Sequence, residues 1–131
     1  MIIAVDFDGT IVKNKFPAIG EEIPFAIDSL LMLQKKGVRI ILWTSRHGEH
    51  LTEAIRYCRK RGLEFYAVNK NYPEESVNSE VSRKIVADWY LDSRNLSGLP
   101  SWGEIYQTLV EELNPKPKSK GFKSLFSWKK S

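Results

Sequence analysis

This sequence lacks the features that would mark a disulfide-stapled, membrane-spanning or multidomain protein. Its 131 residues include one cysteine, Cys58, which excludes an internal disulfide and suits a reducing, cytoplasmic setting. No stretch approaches the roughly 20 apolar residues that a membrane-spanning helix needs. The apolar run Ile2-Ile3-Ala4-Val5 starts directly after Met1. It is expected to be a buried strand, which leaves no room for a cleavable leader. There is no internal repeat, and the length suffices for one core but not for two. Acid is missing altogether from residues 114–131, which hold six lysines, so the net charge of +4 splits into +6 for this tail and −2 for residues 1–113.

The rest of the composition, 42% apolar and 27% charged, is ordinary for a soluble globular domain. Strand and helix patterns alternate along it. Strands are expected at about 2–6, 38–43, 64–68 and 88–92, and helices at 24–36, 48–61 and 101–113. Pro24 suits a helix start, and Gly37 and Gly62 suit helix stops. Arg59, Lys60 and Arg61 complement the dipole at the end of the second helix. Pro115, Pro117 and Gly121 break regular structure after residue 113, so two segments are expected: a catalytic body, 1–113, and a basic, extended tail, 114–131. In the tail, Phe122, Leu125 and Phe126 recur at helical spacing among lysines. That pattern suits an anionic membrane surface, a nucleic acid or a partner groove, and equally a solvated terminus or a segment folded back on the body.

Chemistry enters at Val5 to Val12, Val-Asp-Phe-Asp-Gly-Thr-Ile-Val. Asp6 follows the first strand directly, at the sheet edge where open parallel α/β sheets carry their sites. A carboxylate there can attack phosphorus, and a second one two residues on, Asp8, can pass protons to the leaving group and from water. Gly9 permits a sharp turn, and Thr10 offers a hydroxyl and an amide to an anion. A polar turn capping a strand would use the same residue types.

Two further strand ends carry similar residues. Val38 to Arg46, Val-Arg-Ile-Ile-Leu-Trp-Thr-Ser-Arg, is an apolar run ending in hydroxyls. Thr44 and Ser45 suit either an anion site or the N-cap of the next helix. Arg46 and His47, just beyond, are placed to touch a substrate, Arg being suited to bidentate phosphate contacts, though an exposed helix start tolerates both. The third stretch is Lys84-Ile85-Val86-Ala87-Asp88-Trp89-Tyr90-Leu91-Asp92-Ser93-Arg94-Asn95. Asp92 ends its strand as Asp6 ends the first, whereas Asp88 lies about 13 Å back along an extended chain, at the far end of the sheet. Trp43, Trp89 and Tyr90 fall within strands, where core packing is expected of them rather than base stacking.

Together these three stretches resemble the motifs of the haloacid dehalogenase superfamily, beginning with its Asp-x-Asp-Gly-Thr nucleophile loop. The resemblance implies a Rossmann-like α/β fold, a parallel sheet of order 3-2-1-4 flanked by helices. It implies a magnesium-dependent phosphomonoester hydrolase working through an aspartyl-phosphate. In that scheme Asp6 is the nucleophile and Asp8 the general acid and base. Thr44 and a lysine, Lys84 or else Lys70, hold the phosphoryl group; Gly9, Thr10, Ser45 and Arg46 contact the substrate. Asp6, the backbone carbonyl of Asp8 and Asp92 would bind Mg2+. Many relatives have two adjacent acids where this chain has Asp92 then Ser93, which bears on metal affinity.

Relatives carry a cap domain in one of two gaps, here Ile11 to Ile40 and Asn69 to Arg83. One helix and about fifteen residues fill these, so the chain is expected to be capless, with a small flap at Lys13 to Ile23. An open site would meet a large substrate or borrow a neighbouring subunit as its lid. A phosphatase for nucleotides or nucleic-acid ends is a second reading. A phosphate-binding or regulatory module without turnover, suggested by Ser93, is a third.

Overall fold

The computed structural model describes residues 1–76 and 84–115; most of the basic tail lies outside them. The elements are β1 (Ile2–Val5), β2 (Val12–Lys15), β3 (Ala18–Glu22), α1 (Ala26–Lys35), β4 (Arg39–Leu42), α2 (Gly48–Lys60), β5 (Ala67–Val68), β6 (Trp89–Leu91) and α3 (Trp102–Leu113). Four strands form one sheet in the order β5-β4-β1-β6, and every pairing is parallel. β2 and β3 form a separate antiparallel hairpin, which fills the place of the expected flap. Among the described residues no helix is long and apolar enough to cross a membrane.

Alternation along the central strands divides the apolar residues between two faces. Ile3, Val5, Ile40, Leu42 and Leu91 join the main core, to which α1 gives Ile27, Leu30 and Leu33, α2 gives Ala54 and Cys58, and α3 gives Trp102, Ile105 and Leu109. All three helices thus pack on one face. Ala4, Ile41, Ala67 and Ile85 form a smaller cluster on the other, edged by Ile2, Tyr66, Ala87 and Tyr90. Handedness accounts for this. The crossovers β1 to β4 and β4 to β5 run in one direction across the sheet, while β6 lies back past β1, and Ile85 and Ala87, which lead into it, pack on the opposite face as a right-handed crossover requires.

Local signals set the helix ends. α1 and α2 stop in the same motif: Gly37 N donates to Gln34 O and Val38 N to Leu33 O, and Gly62 N donates to Arg59 O and Leu63 N to Cys58 O. Val38 and Leu63 are buried; Val38 leads straight into β4, and Leu63 precedes β5 by a short stretch. α1 begins two residues later than the sequence suggests, with Phe25 in the left-handed region and the Glu22 carboxylate accepting from Ile27 N at 3.0 Å. Ser101 caps α3 by accepting from Glu104 N.

Three expectations need correction. The strand expected at 64–68 is shortened to Ala67–Val68. Trp43 and Trp89 are not core residues, being 39% and 42% exposed; Trp43 follows the last residue of β4 and Trp89 is the first of β6. Among the described residues the buried tryptophan is Trp102, on α3. Cys58 does pack in the core, where burial pushes its thiol up to about 12.

Candidate functional site

The tips of β1, β4 and β6 are laced together just before the site. Trp43 N donates to Val5 O, and Asp6 N donates to Leu91 O. Beyond this point the chain keeps its alternation for two more residues. Phe7 turns into the core and meets Tyr57 edge-on, while Asp6 and Asp8 turn together into a cavity of about 200 Å3. The chain then folds back sharply, with the amides of Thr10, Ile11 and Val12 all donating to Phe7 O and Gly9 N donating to Val12 O. Gly9 has φ +87°, and a Cβ there would lie 2.8 Å from Ser93 Oγ. Glycine suits both the positive φ and that close approach.

Asp6, Asp8, Gly9, Asn14, Phe16, Ser45, Ser93 and Arg94 line the cavity. Of the expected site residues it brings together Asp6, Asp8, Gly9 and Ser45. Asp6 is only 5% exposed, and its carboxyl is raised from 3.8 to about 6. Burial is the main cause and a backbone hydrogen bond at Phe7 opposes it; Asp92 and Asp8 push the value up further, while Arg94 pulls it down. Asp92 sits beside the cavity, its Oδ1 accepting from Arg94 N at 2.9 Å. Asp88 lies at the far end of the sheet, where its Oδ2 accepts from Ile2 N and its amide donates to Ile2 O.

Arg46, expected as a substrate contact, does not line the cavity, because its guanidinium is engaged within the fold. It is 1% exposed, and each of its five guanidinium N–H groups has an acceptor position to meet. Nε donates to Asp8 Oδ2 at 2.7 Å and Nη2 to Asp8 Oδ1 at 2.8 Å. Nη2 also donates to Ala18 O, and Nη1 to Pro17 O and His50 O. The planar group lies 5.1 Å from the ring centres of both Phe7 and Phe16. One side chain therefore fixes Asp8, the tip of the β2–β3 hairpin and the first turn of α2.

Thr10 likewise serves the scaffold and not the cavity. It is fully buried; its Oγ1 accepts from Ser93 N, its amide donates to Phe7 O and its carbonyl accepts from Trp102 Nε1 at 3.0 Å. Thr44 does not line the cavity either: its amide donates to Asn69 Oδ1 and its Oγ1 accepts from Arg46 N, a local turn that aims Arg46 inward. The α2 N-cap is His47, without a side-chain bond, so neither Thr44 nor Ser45 caps the helix. Lys84 is exposed, with Nζ 6.0 Å from the Tyr90 ring centre on the other face of the sheet; neither it nor Lys70 lines the cavity. Among the described residues the cation beside Asp6 is Arg94, which the sequence reading passed over together with Asn14 and Phe16 of the hairpin.

Among the described residues no three His, Cys, Asp or Glu side chains group as a metal-holding cluster. The donor set still fits Mg2+, which takes one or two carboxylates and completes its shell with water and substrate oxygens. Asp6 and Asp92 would be the two, the charge of Asp92 being near enough to push the Asp6 carboxyl up. Arg46 bonds both oxygens of the Asp8 carboxylate, so the backbone carbonyl of Asp8 is the group that this residue would offer a metal.

Comparison with known proteins gives no matching family model and no matching curated protein. A solved structure of the conserved protein coded by a locus of Bacteroides thetaiotaomicron shares 57% identity, covering 86% of this chain and 91% of that one, with a TM-score of 0.81. The chain belongs to that protein's family. Identity of this degree over nearly all of both chains makes the likeness one of sequence as well as fold. The family's chemistry has to be read from the site.

Proposed function

We propose that the chain is a magnesium-dependent phosphomonoester hydrolase of the haloacid dehalogenase type, acting through an aspartyl-phosphate on Asp6. The observation that carries this reading is the pair Asp6 and Asp8 in one cavity, beyond the tip of a central parallel strand, with Asp8 held at both oxygens by Arg46. Counted along the chain, the parallel strands stand in the order 3-2-1-4, which supports the same reading. It brings Asp6 and Asp92 to adjacent strand tips at the point where the order reverses.

The steps follow from what each group can do. An ionised Asp6 oxygen attacks phosphorus while the ester oxygen leaves, taking a proton that Asp8 brings into the cycle on a lone pair turned away from Arg46. Water then attacks the acyl-phosphate and gives a proton to Asp8, which releases phosphate and restores Asp6. Arg46 positions Asp8 for both transfers. Arg94 adds positive charge at the cavity wall. Asp6 and Asp92 would hold Mg2+, which supplies charge neutralisation for the phosphoryl oxygens.

Hydrolysis of an aryl phosphate by purified protein, with magnesium and with a chelator, tests this. Turnover that needs the metal supports it. A folded protein without turnover under either condition favours the phosphate-binding module.

A further inference from the structure

We propose that the ring of Phe16 is a stacking subsite at the mouth of the Asp6 and Asp8 cavity, selecting phosphomonoesters whose leaving group carries a planar aromatic ring. This rests on the hydrolase reading and names its substrate class. Phe16 projects from the β2–β3 hairpin into the lining of the same cavity, yet is 54% exposed. It is nevertheless held. The Arg46 guanidinium lies over the ring at 5.1 Å, the His50 ring meets it edge-on at 5.3 Å, and Phe16 N donates to Asn14 Oδ1. The Arg46 guanidinium covers one face of the ring, and the residue's 54% exposure leaves ring surface for a partner. An aromatic ring already fixed in place loses little freedom on binding, and stacking tolerates many different rings.

Cavity size points the same way. About 200 Å3 is below the roughly 300–1,000 Å3 of pockets that enclose whole ligands. The phosphoryl group and its nearest atoms fit inside, so the remainder of a leaving group must pass over the rim, where Phe16 stands. None of the other exposed aromatics among the described residues, Phe25, Trp43, Tyr72 and Trp89, lines the cavity.

Phe16→Leu keeps an apolar cover over Arg46 while removing the aromatic face; Phe16→Trp keeps both. The measured quantity is kcat/KM for phenyl phosphate and for adenosine monophosphate, each divided by that for glycerol phosphate. In Phe16→Leu at least one ratio should fall about tenfold, or about 1.4 kcal/mol, through KM and not kcat, and Phe16→Trp should retain it. A fall for phenyl phosphate marks a ring next to the ester, and a fall for the nucleotide marks a ring beyond a sugar. Both ratios staying unchanged would overturn the subsite. Calorimetry on Asp6→Asn separates this from the hydrolase reading. At least one of phenyl phosphate and adenosine monophosphate should bind about tenfold tighter than inorganic phosphate, and adding Phe16→Leu should remove the difference. That result without turnover in the native protein would leave the subsite standing and the hydrolase reading refuted; equal affinities would refute the subsite.

Discussion

Arg46 grips both oxygens of Asp8, at 2.7 and 2.8 Å, and its remaining N–H groups meet backbone carbonyls of the hairpin and of α2. The pair is buried on the arginine side and nearly so on the other, with side chains 0% and 14% exposed. Removing one partner of such a pair leaves a desolvated charge, at a typical cost of about 3–5 kcal/mol. Arg46→Ala should therefore lower the urea midpoint by the equivalent of about 3 kcal/mol or more, since it also empties the space between Phe7 and Phe16. Arg46→Lys should remain folded but lose kcat, because one ammonium cannot hold two oxygens in a plane. An Arg46→Lys enzyme with native kcat would show that Asp8 needs no such positioning.

Asp6 gives a stability prediction that runs against its catalytic use. Its folded value, about 6, is above the ordinary 3.8, so the folded protein prefers the protonated form. Stability from this group is present below about pH 4 and lost as the pH rises towards 6 and beyond. The loss amounts to about 3 kcal/mol at neutral pH. Without divalent cations, Asp6→Asn should thus be more stable than the native protein at about pH 8, by up to about 3 kcal/mol, with no advantage at about pH 4. Paired urea titrations at the two pH values measure this, and an advantage that does not depend on pH would contradict it.

Gly9 and Gly37 both have positive φ, but only Gly9 has a neighbour in the way of a Cβ. Gly9→Ala should therefore cost more stability than Gly37→Ala, the excess being the collision with Ser93 Oγ at 2.8 Å. Adding Ser93→Ala should recover part of that excess. Thermal midpoints of the three variants decide it, and equal costs at both glycines would mean that the loop yields freely.

Much of this could be read from local sequence. Ile2–Val5 announces its strand and the acids announce the turn beyond it, because period-two alternation and glycine chemistry are local matters. Gly37 and Gly62 likewise mark helix ends by motifs spanning a few residues. What stayed hidden depends on distant partners. Nothing near Arg46 reveals that Asp8, Pro17, Ala18 and His50 converge on it, so an arginine beside a phosphate-type motif reads as a ligand contact. Thr10 reads as an anion contact for the same reason; its partners, Ser93 and Trp102, are more than eighty residues away. Trp43 and Trp89 looked buried because a strand pattern does not tell how far burial extends to the strand's ends.

Asp88 and Asp92 separate structure from metal. Asp88→Ala removes a bond to Ile2 N and should cost about 0.5–1.5 kcal/mol while leaving the magnesium requirement as it is. Asp92→Ala should raise that requirement sharply, since Asp92 is the carboxylate beside Asp6. Magnesium titrations of activity compare them, and the reverse pattern would place the metal elsewhere.

The most direct measurement of the central claim sets native protein beside Asp6→Asn, both shown to be folded, in an aryl phosphate assay with magnesium. An amide of nearly the same shape cannot form the acyl-phosphate. The account predicts turnover in the first and none in the second. Equal turnover in both would contradict a nucleophilic role for Asp6.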